Sequence, residues 1–303
     1  MTAAVGGTDG GNGKAGRGEG HRTAGFALLR ILPCLLVLLI STGAHGGEEE
    51  KAWRLAVHPF ISATELMERF QPLADYLSEA TGERFVIEVS SSYEAHIHSV
   101  AEGLVDLAYM GPASFARLWR EAGPHDVLAR EAILGRETFH GVLLARDDSD
   151  AYGVDDVSGR TVGFVNDSST MGYWMPRRLL AEYGIELDDL AGHRFLGNHH
   201  NVVAAVLLGD VEVGAVREEV YREYAGRGLR VLGRTADVPH HPLVARRGLT
   251  PERVARWRAA LLELAAHPDG PAVLSAMGED VSGLVPAAID DYRPLRESLE
   301  AEE

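Results

Sequence analysis

Cysteine is all but missing from this chain. Cys34, the only one, lies inside the apolar run 31-ILPCLLVLLI-40 and lacks the small residues that precede a lipidated cysteine, so no lipoprotein anchor is expected. From residue 47 onward there is none, which excludes disulfides, thiolate metal ligation and a thiol nucleophile from the folded part. Long apolar runs are missing too. The stretch 31–40 matches the length of a signal-peptide core but falls short of the roughly 20 residues of a transmembrane helix. Arg22 and Arg30 precede it and the small residues 41-STGAHGG-47 follow. That pattern fits export with cleavage after Gly46, or a retained N-terminal anchor; either places the folded part outside the cytoplasm. The opening 6-GGTDGGNGKAGRGEG-20 has too little apolar content to fold and reads as disordered.

Positive charge is also scarce. Without residues 1–46 the chain has 25 basic residues against 43 acidic ones, a net charge of −18. Nucleic acid and anionic membrane surfaces are therefore disfavoured partners. A small anionic ligand is not, because a buried site acts through local dipoles while solvent screens the distant surface. Neither a GxSxG elbow nor an HExxH or HxxxH spacing occurs, so no catalytic machinery is legible and no enzyme is expected.

What is present is an alternation of strands and helices. Strand-like 53-WRLAV-57 precedes a helix with Leu66, Phe70, Leu73 and Leu77 on one face, ending at Gly82, and then 84-RFVIEVS-90. Pro72 lies inside that helical pattern and should kink it or restart it. A helix over roughly 93–103 leads to 105-VDLAYM-110, a run suited to a parallel strand buried on both faces; Pro112 can start the next helix at its first position. After 139-FHGVLLAR-146 the acidic run 147–150 looks like a solvated crossing. The alternation restarts with 161-TVGFV-165 and a helix after Ser169, then 193-HRFLG-197, a helix over 200–209, 213-VGAVR-217 and a helix to Gly226. Strand 229-LRVLGR-234 and the run 238-VPHHPLVAR-246 come before three helical stretches beginning near Pro251, Pro268 and Pro286, which have no strands of their own and need the first lobe's sheet to cover. The expected fold is α/β: a first lobe from 47–146 and 238–303, a second from 147–237, hinged around a ligand cleft. Ligands of such sheets sit at the carboxyl ends of the strands, so the loops after Val57, Val89, Tyr109, Val165, Gly197 and Val216 are the ones to inspect.

Those loops carry Ser90, Ser91, Ser92 and Tyr93; Tyr109 and Met110; Ser168, Ser169 and Thr170; and Asn198, His199 and His200. Each has a plain reading. Serines and threonines cap helices, Tyr109 fills a core and His199 begins a helix. Each also has a sharper one, because hydroxyls at a helix N-terminus add to its free N–H groups and dipole to make an anion site.

The blocks 71-QPLADYLSEATG-82, 92-SYEAHI-97, 103-GLVDLAYMGPASF-115, 158-SGRTVGFVNDSSTMG-172 and 197-GNHHNVVAAVLLGDVEVGAV-216, in this order, resemble the phosphate, phosphite and phosphonate binding proteins of ABC transporters over nearly the whole of the folded part. The resemblance implies the type 2 periplasmic-binding fold, an exported and monomeric protein, and a phosphorus oxyanion delivered to a permease. A variant of that role presents the ligand to a membrane sensor kinase. It further implies Ser169 and Thr170 as hydroxyl donors, the Met171 and Gly172 amides and the His199 imidazole as further donors, Tyr93 as the opposite wall, and Tyr109 and Met110 beside the ligand. Three departures matter. Met171 stands where the family has a second serine, Met110 where many relatives have an aromatic residue, and His241 where an aspartate often precedes the proline. Phosphite or a methyl-bearing phosphonate is accordingly favoured over phosphate, and aminoalkyl phosphonates are disfavoured. A histidine-based metal binder using His193, His199, His200, His240 and His241 is the competing reading. Adjacent histidines on a strand or helix rarely face one metal, so neither metal nor cofactor is expected.

Overall fold

The computed structural model describes residues 52–301; the expected signal segment and disordered opening lie outside them. In chain order the elements are β1 (Trp53–Val57), α1 (Ala63–Thr81), β2 (Phe85–Val89), α2 (Tyr93–Ala101), β3 (Leu107–Tyr109), α3 (Pro112–Ala122), β4 (Asp126–Ile133), β5 (Thr138–Phe139), β6 (Gly141–Arg146), β7 (Thr161–Phe164), α4 (Met175–Glu182), β8 (Gly192–Phe195), α5 (His199–Leu208), β9 (Val213–Arg217), α6 (Glu218–Glu223), β10 (Leu229–Arg234), β11 (Val238–Pro239), β12 (Pro242–Ala245), α7 (Pro251–Glu263), α8 (Gly270–Met277), β13 (Val281–Val285) and α9 (Arg293–Ala301).

Local chemistry explains the first of these. Ser62 accepts the Glu65 N–H at 3.3 Å to start α1, and Gly82, at φ 68°, ends it in the left-handed conformation that glycine adopts without strain. The helix runs through Pro72 without the expected restart. A single lost backbone bond is outweighed by the apolar face it buries, with Leu66, Phe70, Leu73 and Leu77 all fully or almost fully shielded. Pro112 sits in the first turn of α3, where its missing N–H costs nothing.

Two mixed sheets form two lobes. The first has the order β13-β4-β12-β3-β1-β2 and the second β10-β6-β9-β7-β8. In each, the parallel strands lie towards one edge: β1 pairs in parallel with β2 and β3, and β7 with β8 and β9, while the strands that return or enter run antiparallel. Between them the two connecting segments pair with each other, Val238 opposite Phe139 and Pro239 opposite Thr138.

Three expectations need correction. The chain changes sheets ahead of Gly141, not at 147, because β6 is hydrogen-bonded into the second sheet. The acidic run 147–150 is a turn within that lobe, with Asp148 paired to Arg146 and Asp150 to Arg160. The returning helices do bring a strand, since β13 lies between α8 and α9 and closes the first sheet against β4. They cover that sheet as expected. Trp257 of α7 is fully buried, edge-on to Trp53 and Phe85 at 5.2 and 5.0 Å, and its indole N–H donates to Glu83.

Candidate functional site

The carboxyl ends of β1, β7 and β9 and the N-termini of α2, α3 and α5 converge on the seam between the lobes, and the seam is shut. Ala113 N–H donates to Thr170 Oγ1 at 2.9 Å, Ser114 Oγ to the Ser168 carbonyl at 3.0 Å, and His199 N–H to the Phe60 carbonyl at 3.1 Å. Asn166 Nδ2 also donates to Glu94 at 3.0 Å. Enclosed by these contacts is a cavity of about 10 Å³ whose wall includes His58, Tyr93 and His241 on one side and Ser169, Thr170, Met171, His199 and Arg217 on the other. Gly111 and Phe139 complete it. Such a volume holds about one water, so the lobes must part before a ligand can enter.

The hydroxyls are oriented by the backbone. Ser169 Oγ accepts the Gly172 N–H at 3.1 Å and Thr170 Oγ1 accepts the Ala113 N–H. With an oxygen lone pair of each so engaged, the hydroxyl protons remain to be donated. Ser169 is thus both the cap of the following π-helical turn, Thr170–Trp174, and a donor at the cavity, so the two readings of this serine describe one device. Gly172 is required there: a Cβ would lie 2.3 Å from Val165 Cγ2. Its amide is taken by Ser169, which corrects the expectation that it serves the ligand directly.

Electrostatically the cavity is governed by one buried cation. Arg217 ends β9, is 7% exposed, and forms no ion pair within 4.0 Å among the described residues; its guanidinium lies 4.3 Å over the Phe60 ring and its Nε has no hydrogen-bond partner. The imidazoles around it are neutral. Burial, reinforced by Arg217 and neighbouring histidines, holds His58, His199 and His241 well below the usual histidine range. Because His199 Nδ1 accepts the Arg217 backbone N–H at 3.3 Å, the neutral ring has its proton on Nε2. Both ring nitrogens of His58 and the Tyr93 hydroxyl are buried without partners, and burial pushes the Tyr93 phenol upward. Leaving such groups unpaired costs about 1–3 kcal/mol each. Donors and one cation facing a closed cavity suit a compact anion.

Of the residues singled out in the sequence, Tyr93, Ser169, Thr170, Met171, His199 and His241 line the cavity. Tyr109 stands behind it, stacked on the His241 ring at 5.0 Å and donating its hydroxyl to Glu131 at 2.8 Å. Met110 is not at the site. It is fully buried in a cluster with Ala56, Ile97, Phe115 and Val244, because side chains alternate along a strand and Tyr109 already takes the other face. Among the serines before α2, Ser92 caps it by accepting the Ala95 N–H, whereas Ser90 bonds His96 Nδ1 at 2.9 Å. Sequence reasoning missed His58, Phe139 and Arg217. A signal existed for the first and last, since both sit just where β1 and β9 end.

His240 and His241 behave unexpectedly as well. Together with Glu131 they bring one ligand atom each within 4.8 Å of one another, the single such group among the described residues. The alternation that should separate adjacent histidines does not apply, because 240–241 is the irregular step between β11 and β12.

A family model described as "ABC transporter, phosphonate, periplasmic substrate-binding protein" matches residues 55–292. The chain is 30% identical over 186 residues to the phosphate-import protein PhnD of Mycolicibacterium smegmatis, a match that covers 57% of each chain. It is 26% identical over 179 residues to the tetrathionate sensor histidine kinase TtrS of Salmonella typhimurium, covering 57% of this chain and 29% of the kinase. The chain thus spans well under two thirds of these relatives. Among solved structures, PhnD1 of Prochlorococcus marinus in complex with methylphosphonate superposes with a TM-score of 0.75 at 18% identity, over 82% of this chain and 97% of that one.

Proposed function

This chain belongs to the periplasmic substrate-binding proteins of phosphonate ABC transporters, and from that premise we propose that it captures phosphite or a methyl-bearing phosphonate between its lobes and delivers it to a permease. Its family binds and releases substrates and does no chemistry on them. The observation that supports this reading most is Arg217, a buried cation with no ion pair within 4.0 Å among the described residues, set among neutral imidazole and hydroxyl donors in a closed seam. A compact phosphorus oxyanion neutralises the guanidinium and pairs the orphaned Tyr93 and His58 atoms at once.

The choice within the class follows from the rest of the wall. Met171 and Phe139 are apolar, and the Thr235 hydroxyl beside the Met171 sulfur donates to the Ala236 carbonyl at 3.1 Å. A fourth phosphate oxygen against them would be left unpaired, at about 1–3 kcal/mol, whereas a P–H or methyl group fits. No carboxylate lines the cavity to receive an ammonium. In a competition at equal concentrations, phosphite or methylphosphonate is expected to displace phosphate and 2-aminoethylphosphonate by roughly tenfold to a hundredfold; tighter binding of either of the latter overturns the choice. The similarity to a sensor kinase over 179 residues supports a second reading, in which the closed clamp signals to a membrane kinase. Stimulation of a reconstituted permease's ATPase by the liganded protein favours transport, and stimulation of kinase autophosphorylation favours sensing.

A further inference from the structure

Behind the anion cavity lies a second cluster, which shares His241 with the cavity wall and adds two residues that anion capture does not use. Glu131 of β4 has its Oε2 3.4 Å from His240 Nδ1 and 3.7 Å from His241 Nδ1. Glu131, His240 and His241 are all at least nine-tenths buried. Both Nδ1 atoms, and His240 Nε2 as well, lack hydrogen-bond partners.

We propose that Glu131, His240 and His241 form a site for one divalent transition-metal ion, with zinc the best fit. The separations are too long for good hydrogen bonds, and the three ligand atoms, all within 4.8 Å of one another, need draw only a little closer to share one ion. Ligands held about 2.0–2.2 Å from zinc stand about 3.3–3.6 Å apart at the corners of a tetrahedron. Two imidazoles and one carboxylate are a donor set that zinc takes. The Tyr109 hydroxyl, bonded to Glu131 Oε2 at 2.8 Å, orients the ligand in the way metal sites need. Glu131 also borders a chamber of about 260 Å³ that it shares with Tyr109 and Arg217, and water on that side can supply the fourth ligand.

The test uses the purified full chain, stripped with chelator and dialysed against zinc or cobalt(II). One zinc per chain is expected, with cobalt giving the intense visible bands of a tetrahedral ion. Glu131→Gln and His240→Gln should each weaken zinc at least tenfold and abolish those bands. Tyr109→Phe should weaken zinc roughly tenfold while keeping a tetrahedral spectrum. His200→Gln, which removes the half-buried imidazole beside Glu223, should change nothing. If circular dichroism shows that a ligand variant has not folded, the wild-type cobalt spectrum decides alone. Weak octahedral bands, no retained ion, or zinc uptake unaltered in folded Glu131→Gln overturns the site.

Discussion

Arg217 is an unusual stabiliser, because with the Phe60 ring against it and no ion pair within 4.0 Å among the described residues its burial is a cost. A buried charge that lacks compensation destabilises a fold by several kcal/mol, and replacing it with an apolar side chain of similar length often restores stability. Arg217→Met should therefore raise the melting temperature of the ligand-free protein, read by differential scanning calorimetry, even as it impairs binding; a drop would mean that the guanidinium holds the closed seam together by itself. The hydroxyls are the opposite case. Ser169→Ala combined with Thr170→Val removes two charge-assisted donors worth about 1.5–3 kcal/mol each, so titration calorimetry should show oxyanion affinity weakened a hundredfold or more. Since the same oxygens accept the Gly172 and Ala113 amides, the double variant should also lose about 1–3 kcal/mol of stability to denaturant, a loss a ligand-only role would not produce.

At the scale of elements, the turn from β7 into its helix depends on contact between two residues. Gly172→Ala puts a methyl 2.3 Å from Val165 Cγ2, and overpacking of this kind costs about 1–3 kcal/mol. Adding Val165→Ala should return part of the lost melting temperature; no rescue would place the strain in the backbone instead. This turn was readable in advance because its strand, cap and glycine follow local rules. Two strands were not. The segment of β4, 126-DVLAREAI-133, is interrupted by Arg130 and Glu131. Both are held by long-range partners, Arg130 by Asp291 and Glu131 by Tyr109, so local patterning could not show that the strand is central. β13, 281-VSGLV-285, is short and broken by serine and glycine, and only its pairing with β4 makes it a strand. Arg217 was passed over for a related reason: it reads as the end of an apolar strand, and nothing local tells whether its charge turns to solvent or into the seam. Met110 failed differently. The resemblance to relatives put it beside the ligand, whereas the period of the strand turns it into the core.

For the whole molecule, a strongly acidic chain encloses a site made of neutral donors and one cation, and that contrast sets its response to pH. Burial lowers His96 from 6.5 to about 4, so between those values the unfolded chain binds a proton that the folded one refuses. Stability is then full above pH 6.5 and falls as the medium is acidified towards 4. His96 alone accounts for about 2 kcal/mol by pH 5, or roughly 4–8 °C in melting temperature; His58, His199 and His241 act in the same direction. His96→Gln should flatten this limb, and a melting temperature constant from pH 7 to 5 would contradict neutral burial. The central claim is that a compact phosphorus oxyanion is held in the seam by Arg217 and the hydroxyls around it. Titration calorimetry of methylphosphonate into the wild type and Arg217→Met tests it most directly: one site per chain is expected in the wild type, with at least a hundredfold weaker binding in the folded variant, and equal affinities in the two would contradict it.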